Sequence, residues 1–323
     1  MPLPQDERIV ALANDLIAQF HKMFGAHPGY RPAHAKGLML AGTFKSAPGA
    51  LALTTAPHIV RASTPIVARF SNSTGLPAIP DNAPEANPRG FSIRFNLAEH
   101  VHTDIVSHST DGFPTRDGYE FLEFLQAAAA SGPDVPSPKP IEKFLAAHPA
   151  AKAFVQTPKP FPSSFARDTY FGVTAFRFTN DAGKTKAGRY RIVPELGNDF
   201  LTDEQVAALS PNYHFEEIVK RVDQAPIRFK VLVQVAALED IDDDATIHWP
   251  ETRELFELGT IELTSVLSDN PAEQQRIIFD PIPRIAGIEP SADPLLELRA
   301  AIYLLSGRRR RQAPEAQAHA SAD

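Results

Sequence analysis

The stretch IRFKVLVQVA, residues 227–236, decides which fold this sequence can adopt. Within it, Phe229, Val231, Val233 and Val235 recur at every second position. Side chains two residues apart point to the same face of a β-strand, so this spacing predicts a strand with one buried face.

The same alternation recurs in further segments along the chain. They are VARFSNS (67–73), GFSIRFN (90–96), TAFRFTN (174–180), RYRIVPE (189–195) and GTIELTSV (259–266). Turns and long loops, rather than regular crossover helices, join most of these segments. This arrangement favours an antiparallel sheet or barrel surrounded by helices over a doubly wound parallel sheet. The sequence therefore predicts an α+β fold built on an antiparallel sheet or barrel.

Helices are predicted near both ends of the chain and between the strands. In residues 5–24, apolar side chains recur at spacings of three and four, and Gly25 ends the pattern. Further helices are predicted at 117–130, 141–148, 202–208, 211–222 and 293–305. The small, polar residues of 312–323 follow no pattern, so we expect a disordered tail after a single domain over residues 1–311.

Composition limits the classes of function. The 323 residues carry a formal net charge of −7 with no long basic face, which argues against nucleic acid as a partner. The sequence has no cysteine, and this excludes disulfides, cysteine-ligated zinc, iron–sulfur clusters and thiolate catalysis. No apolar stretch approaches the length of a membrane span, and the start lacks a signal-peptide pattern. We expect a soluble, cytoplasmic protein with no membrane partner.

The C-terminal helix ends in an unusual combination of side chains. In LELRAAIYLLSGRRRR, residues 296–311, Arg299 lies four residues before Tyr303, and an arginine run follows. Positions four apart share one face of a helix, so the guanidinium can contact the phenol oxygen and stabilise its negative form. A phenolate suits ferric iron, and tyrosine is one of the axial ligands of haem. The alternative is a half-buried tyrosine beside a solvated arginine.

Three other stretches contain residues that are suited to chemistry. RPAHAKG contains His34, just before a run of residues punctuated by glycine. VARFSNS places Arg69 on a strand whose alternation predicts that this side chain points inward together with Ser71. TDIVSHSTDGF, which starts at residue 103, contains His108.

Taken together and in order, these stretches resemble the haem catalase superfamily, and above all its short members, the catalase-related peroxidases. The motifs that carry the resemblance are RPAHAKG (31–37), ARFSNS (68–73), NPRGFSIRF (87–95), TDIVSHSTDGF (103–113) and FDPIPRIAGIEPSADPLLELRAAIY (279–303). The resemblance extends from about residue 28 to residue 311. It implies a catalase-like β-barrel that encloses a pocket for haem b with ferric iron.

The resemblance also implies a role for each matching residue. Tyr303 matches the proximal phenolate ligand of the iron, and Arg299 matches the arginine that keeps this ligand ionised. His34 matches the essential distal histidine. Ser71 matches the serine that orients this histidine.

The remaining matches concern the binding of the haem itself. Arg31, Arg69 and Arg310 match the arginines that pair with the haem propionates. Phe113 and Phe121 match aromatic residues of the distal pocket.

The sequence also departs from the pattern of typical catalases. Those proteins have GNN where this chain has SHS (107–109), so His108 replaces the distal asparagine. A role in proton movement or donor binding and a neutral role as a core hydrogen-bonding residue are both open for it. The chain lacks the N-terminal arm, the wrapping segments and the C-terminal domain of larger catalases. We therefore expect a more exposed haem edge and, as a possible assembly, a homodimer.

The activity that this resemblance implies is a haem peroxidase. It would reduce small-molecule hydroperoxides, organic ones as well as hydrogen peroxide, and take electrons from an organic donor. His34 would move the proton, and the Tyr303 phenolate would stabilise the high-valent iron. The alternatives are a true catalase and a haem-dependent rearrangement of fatty-acid hydroperoxides. A different class, a non-haem metal site formed by His100, His102 and His108, is also open.

Overall fold

The computed structural model describes residues 2–314. Within that range the chain forms twelve β-strands and nine α-helices. The strands are β1 (Gly37–Ser46), β2 (Thr64–Ser71), β3 (Gly90–Ala98), β4 (Val101–His108), β5 (Phe161–Pro162), β6 (Tyr170–Phe171), β7 (Phe176–Thr179), β8 (Thr185–Pro194), β9 (Phe200–Leu201), β10 (Ile227–Val235), β11 (Leu255–Val266) and β12 (Ile288–Pro290). The helices are α1 (Glu7–Phe24), α2 (Pro57–Val60), α3 (Gly118–Ala129), α4 (Pro140–Ala147), α5 (Pro149–Gln156), α6 (Asp203–Ala207), α7 (Tyr213–Gln224), α8 (Asn270–Arg276) and α9 (Pro294–Gln312).

Eight of the strands close into a barrel. Their order around it is β10-β11-β1-β2-β3-β4-β6-β8, and β8 pairs back with β10. Every pairing in this ring is antiparallel. Strands β7 and β12 extend the sheet outward from β8. The predicted α+β class with an antiparallel barrel is therefore confirmed.

Aromatic and aliphatic side chains fill the interior of the barrel. Along β10, Phe229 and Val231 are buried, whereas Arg228, the residue before Phe229, is exposed, as the alternation predicts. Phe91 of β3 lies 4.9 Å, between ring centroids, from Phe229 on the opposite wall. Phe70 of β2 stacks on Phe91 at 4.4 Å. The centre of the barrel is thus a packed core.

This packing corrects one detail of the sequence-based prediction. Phe70 points into the barrel, so its neighbours Arg69 and Ser71 point out of it and line a cavity on the outer face. The alternation correctly placed Arg69 and Ser71 on one buried face of β2, and the closed barrel shows that this face is its outer one. The reason is that alternation defines two faces of a strand, and here the more apolar face fills the barrel while the other is covered by helices.

The predicted helices are present, and the last of them is longer than expected. Helix α9 extends to Gln312, which had been assigned to a disordered tail; residues 315–323 of that tail lie outside the described range. Leu12 of α1 packs with Leu298 of α9 in a second apolar cluster. No helix within residues 2–314 is long and apolar enough to cross a membrane.

His58, on the short helix α2, is buried in the barrel core. Its ring centroid lies 4.6 Å from that of Phe95 and 5.8 Å from that of Phe44. Its Nδ1 has no hydrogen-bond partner among residues 2–314. Burial lowers the pKa of His58 to about 3, so the folded protein holds this imidazole in its neutral form at neutral pH.

We expect His58→Phe to weaken the dependence of stability on pH. At pH values between the ordinary histidine pKa of about 6.5 and the pKa of about 3 in the folded protein, His58 binds a proton in the unfolded chain and not in the folded chain. The free energy of unfolding therefore falls as pH falls, and removing His58 should reduce that slope by about 1.4 kcal/mol per pH unit. Urea unfolding at several pH values from neutral to mildly acidic measures the slope. The exposed His100→Gln is the control, and an equal slope in wild type and His58→Phe would contradict the prediction.

Candidate active site

A cavity lies on the outer face of strands β2, β3 and β4 and is closed on its other side by helix α9. Its lining comes from segments that are far apart in the sequence. It includes every residue that the sequence analysis assigned to the site: Arg31, His34, Arg69, Ser71, His108, Phe113, Phe121, Arg299, Tyr303 and Arg310. The fold therefore brings all of these side chains to one place, while their chemical roles stay predictions.

Tyr303 and Arg299 meet on α9 as their spacing predicts. The Arg299 Nε donates a hydrogen bond to the Tyr303 phenol oxygen at 3.3 Å. A second nitrogen of the same guanidinium donates to the Thr174 Oγ1, also at 3.3 Å, which fixes its position. The guanidinium is thus held against the phenol oxygen, and both side chains line the cavity.

His34 lies in the loop before β1, with its backbone in the left-handed region at φ 56°. Its N–H donates to the Ser73 carbonyl at 2.8 Å, which ties the loop to the end of β2. Its Nδ1 lies 3.2 Å from the Ser71 Oγ. Burial, followed by the charge of Arg69, lowers the pKa of His34 to about 3. The imidazole is therefore neutral at neutral pH and able to accept a proton.

Gly90, at the start of β3, is part of the site although the sequence analysis did not single it out. A Cβ at this position would lie 2.4 Å from the Ser71 Oγ and 2.9 Å from the His34 Nδ1. Only a residue without a side chain leaves room for this histidine–serine pair. A glycine inside a predicted strand signals such a close approach and would have pointed to it.

His108 ends strand β4 and lies partly buried in the cavity wall. Its Nδ1 accepts a hydrogen bond from the Thr110 N–H at 3.3 Å. Burial, followed by the charge of Arg299, lowers the pKa of His108 to about 4. This histidine is therefore a second neutral imidazole in the same cavity as His34.

The three-histidine metal site is wrong. His100 lies in an exposed turn, with 93% of its side chain accessible, and His102 lies beside Asp104. His102 and His108 are six residues apart on β4, which places them roughly 20 Å from each other. No group of three or more histidine, aspartate or glutamate side chains within residues 2–314 is placed to hold a metal ion.

Three guanidinium groups meet at one end of the cavity: those of Arg69 and Arg310, which are buried, and that of Arg31, which is partly buried. Arg31 and Arg310 both donate to the carbonyl oxygen of Ile277. Burial, followed by the charge of Arg310, lowers the pKa of Arg69 to about 9. No aspartate or glutamate among the described residues lines the cavity. Buried cations without a carboxylate partner favour an anionic ligand at this end.

Helix α8 supplies Gln274, a residue that the sequence analysis missed together with its helix. The Gln274 Oε1 accepts from the Arg69 Nε at 2.9 Å, and its carbonyl accepts from Arg31 at 3.2 Å. Its amide nitrogen donates to the Asn270 Oδ1 at 3.0 Å, which fixes the orientation of the amide. The signal for the helix is Pro271 in its first turn, a position that proline favours.

A buried polar network supports the segment behind His34. The Asp81 carboxylate accepts from the Lys36 Nζ at 2.7 Å and from the Asn72 amide at 2.8 Å. Arg89 donates to the Asn72 Oδ1 and to the Asp81 carbonyl. These bonds fix the residues that directly follow Ser71 and directly precede the strand β3. The network therefore holds the two strand ends between which the histidine–serine pair lies.

Apolar side chains form the walls between these polar groups. The rings of Phe113 and Phe121 pack together with 4.9 Å between their centroids. Both line the cavity beside Leu298 and Ile302 of α9. The cavity thus has an apolar middle, a phenol on the α9 side, imidazoles on the strand side and guanidinium groups at one end.

Solved structures share this architecture. The chain superimposes on a fungal catalase with a TM-score of 0.78 and 21% identity, over 98% of this chain and 65% of that one. A bacterial catalase gives a TM-score of 0.76 with 22% identity, over all of this chain and 65% of that one. The chain therefore spans about two thirds of the length of these catalases, and at this identity the likeness concerns the fold.

Sequence comparison gives the family. A protein of Synechococcus elongatus named catalase-related peroxidase is 31% identical over 300 residues, 91% of this chain and 87% of that protein. A catalase-related peroxidase of Mycolicibacterium paratuberculosis is 30% identical over 285 residues, 87% of this chain and 89% of that protein. The family model for catalase matches residues 15–318. The chain therefore belongs to the catalase family.

Proposed function

We propose that this protein is a haem peroxidase, which reduces hydroperoxides with electrons from an organic donor. One observation supports this above all: the Tyr303 phenol, hydrogen-bonded to Arg299, shares a single cavity with the pair formed by His34 and Ser71. The relatives described above are named catalase-related peroxidases. We take residues 1–311 as one haem-binding domain.

The residues of the cavity fit haem b. Tyr303 offers a hard phenol oxygen, and this is the residue that would hold the ferric iron of haem. The aromatic walls suit a flat apolar ring, and the guanidinium groups of Arg31, Arg69 and Arg310 suit its two propionates. The absence of carboxylates among the lining residues within 2–314 leaves these cations available to them.

The chain itself supplies proton transfer and orientation. When bound, haem supplies the redox chemistry of the peroxide bond. When the Nδ1–H of His34 donates a hydrogen bond to the Ser71 Oγ, the Nε2 of the same ring has a free lone pair that can accept a proton in the cavity. His34 takes the proton from the incoming hydroperoxide and returns it to the oxygen that leaves as water or an alcohol. Two electrons and two protons from the donor complete the balance.

His108 distinguishes this cavity from that of typical catalases and favours peroxidase over catalase activity. It is a partly buried imidazole that lines the cavity where the resemblance places an asparagine. Oxygen evolution from hydrogen peroxide alone, measured beside oxidation of an organic dye, tests the proposal. Dye oxidation that exceeds oxygen evolution supports a peroxidase, and the reverse supports a catalase. Product analysis with a fatty-acid hydroperoxide and no reductant tests the rearrangement.

The finer features of the proposal come from the sequence. We propose an organic electron donor as the second substrate, a cytoplasmic location and a homodimer, with neither nucleic acid nor a membrane as partner. Size-exclusion chromatography with light scattering measures the mass of the assembly and tests the dimer.

Gly90→Ala should damage the active site more than the fold. The added Cβ would overlap the Ser71 Oγ and crowd the His34 Nδ1, so the imidazole must move from its position. A displacement of about 1 Å at a catalytic group costs about 100-fold in rate. We expect peroxidase kcat/KM to fall by about that factor while the haem content is retained. Gly49→Ala, where an added Cβ meets nothing within 4 Å, is the control, and equal activity of both variants would contradict the prediction.

A further inference from the structure

The arginine run at the end of α9 has a member whose role the haem cavity does not explain. Arg310 is buried and lines that cavity. Arg311 donates to the carbonyl of Arg276 at 2.7 Å, as a cation near a helix end commonly does. Arg309 instead faces a second, smaller cavity, formed by the end of α9 and the loop that follows α1.

We call this second cavity the Arg309 cleft. Its polar lining consists of His21, His27, Tyr30, Ser306, Arg309 and Arg310. Its volume of 120 Å³ equals that of about four water molecules. This is enough for a carboxylate group and the atoms next to it, and too little for a bulky ligand as a whole.

The cleft is positively charged, and no aspartate or glutamate within residues 2–314 contributes to its lining. The Arg309 guanidinium donates to the Asn14 Oδ1 at 2.6 Å and forms no ion pair within residues 2–314. Burial, followed by the charges of Arg309 and His27, lowers the pKa of His21. The chain as a whole carries a net charge of −7. The positive charge of this cleft therefore makes it a local site that attracts small anions.

The Arg309 cleft adjoins the haem cavity. Pro32, Ser306 and Arg310 line both of them. A molecule whose charged end lies beside Arg309 therefore has its other end next to the arginine-lined end of the larger cavity. This is the arrangement that an electron donor or an organic peroxide needs when its charged group is remote from its reacting group.

We propose that the Arg309 cleft binds the carboxylate of a small organic substrate beside the active cavity, with which it shares Pro32, Ser306 and Arg310. The term substrate rests on the proposed peroxidase function, whereas the binding of the carboxylate does not. Arg309 supplies the charge, and Arg309 together with the neutral His21 supplies hydrogen-bond donors for the carboxylate oxygens. Both an electron donor and an organic hydroperoxide can carry such a group, and the two are separated by experiment.

The first experiment uses ferulate and methyl ferulate, which share one oxidisable phenol and differ in negative charge. Isothermal titration calorimetry on the haem-loaded protein without peroxide measures the Kd of each. We expect wild type to bind ferulate more tightly than the ester, and Arg309→Gln to raise the Kd of ferulate by about fivefold, as expected for loss of one partly exposed ion pair. Added salt should weaken the binding of ferulate and not that of the ester.

Arg308→Gln is the matched control. Arg308 is exposed on the same helical turn and does not line the cleft, so its removal should change the Kd of ferulate by less than about twofold. Equal affinity of wild type for ferulate and its ester, or equal effects of the two arginine variants, would overturn the proposal. Unchanged melting temperatures establish that both variants are folded.

The second experiment assigns the carboxylate to a substrate. With neutral tert-butyl hydroperoxide as oxidant, Arg309→Gln should raise the KM of ferulate at unchanged kcat if the donor binds in the cleft. With neutral guaiacol as donor, the variant should raise the KM of linoleic acid hydroperoxide relative to its methyl ester if the peroxide binds there. An effect in either arm supports the cleft, and no effect in both overturns its role in the reaction. Failure of the peroxidase proposal itself would appear separately, as no haem uptake and no oxidation of guaiacol by wild type.

Discussion

Tyr303→Phe should purify as a folded protein that no longer retains haem. Phenylalanine preserves the ring and the packing of α9, so the cavity persists, but it removes the one phenol oxygen that lines it. Removing a side chain that only hydrogen-bonds to a metal ligand already lowers metal affinity by about 10- to 100-fold. Removing the ligand itself should therefore lower the affinity for haem by at least about 100-fold. The Soret absorption after purification with haem supplied, together with the iron content, measures the effect.

The exposed Tyr119→Phe provides the comparison, because Tyr119 lies on α3, has 55% of its surface accessible and does not line the cavity. This variant should keep the spectrum of wild type. If Tyr303→Phe also kept its haem content and the position of its bands, the assignment of the axial ligand would be wrong. Retained haem with an altered spectrum would show that another group replaces the phenolate.

His34→Gln should retain haem and lose the reaction with peroxide. Glutamine can hydrogen-bond but cannot take up and return a proton at this position, so the general acid–base contribution is lost. That contribution amounts to about 10²- to 10⁴-fold in rate, or roughly 3–5 kcal/mol in the barrier. Stopped-flow mixing with hydrogen peroxide measures the rate of the first step. In wild type, titration of His34 should not change this rate between about pH 5 and pH 8. The reason is that burial and the neighbouring Arg69 lower the pKa of His34 to about 3.

His102→Gln controls for the loss of a histidine. His102 is on β4 but outside the cavity, and its removal should leave the rate with peroxide unchanged. An unaltered rate in His34→Gln would refute the acid–base role of His34. A fall in haem content there would instead assign to His34 a role in holding the cofactor.

The sequence by itself predicted most of the regular elements and the candidate residues that the fold brings into one cavity, whose roles stay predictions. The alternation in residues 227–236 predicted β10, and the spacing of Arg299 and Tyr303 predicted their contact on one face of α9. Both are local properties, since a strand repeats every two residues and a helix places positions four apart side by side. The order of the motifs along the chain then pointed to the family.

Only the tertiary structure decided which side of the barrel carries the cavity. Alternation separates Phe70 from Arg69 and Ser71 without stating which face is enclosed, and closure of eight strands around an aromatic core places the polar face outside. Contacts across long separations were equally inaccessible to the local patterns, such as that of Gln274 with Arg69, 205 residues apart. Local propensities extend over only a few residues, whereas such pairs depend on how the whole chain packs, and this is why the cavity and its orientation became visible only in three dimensions.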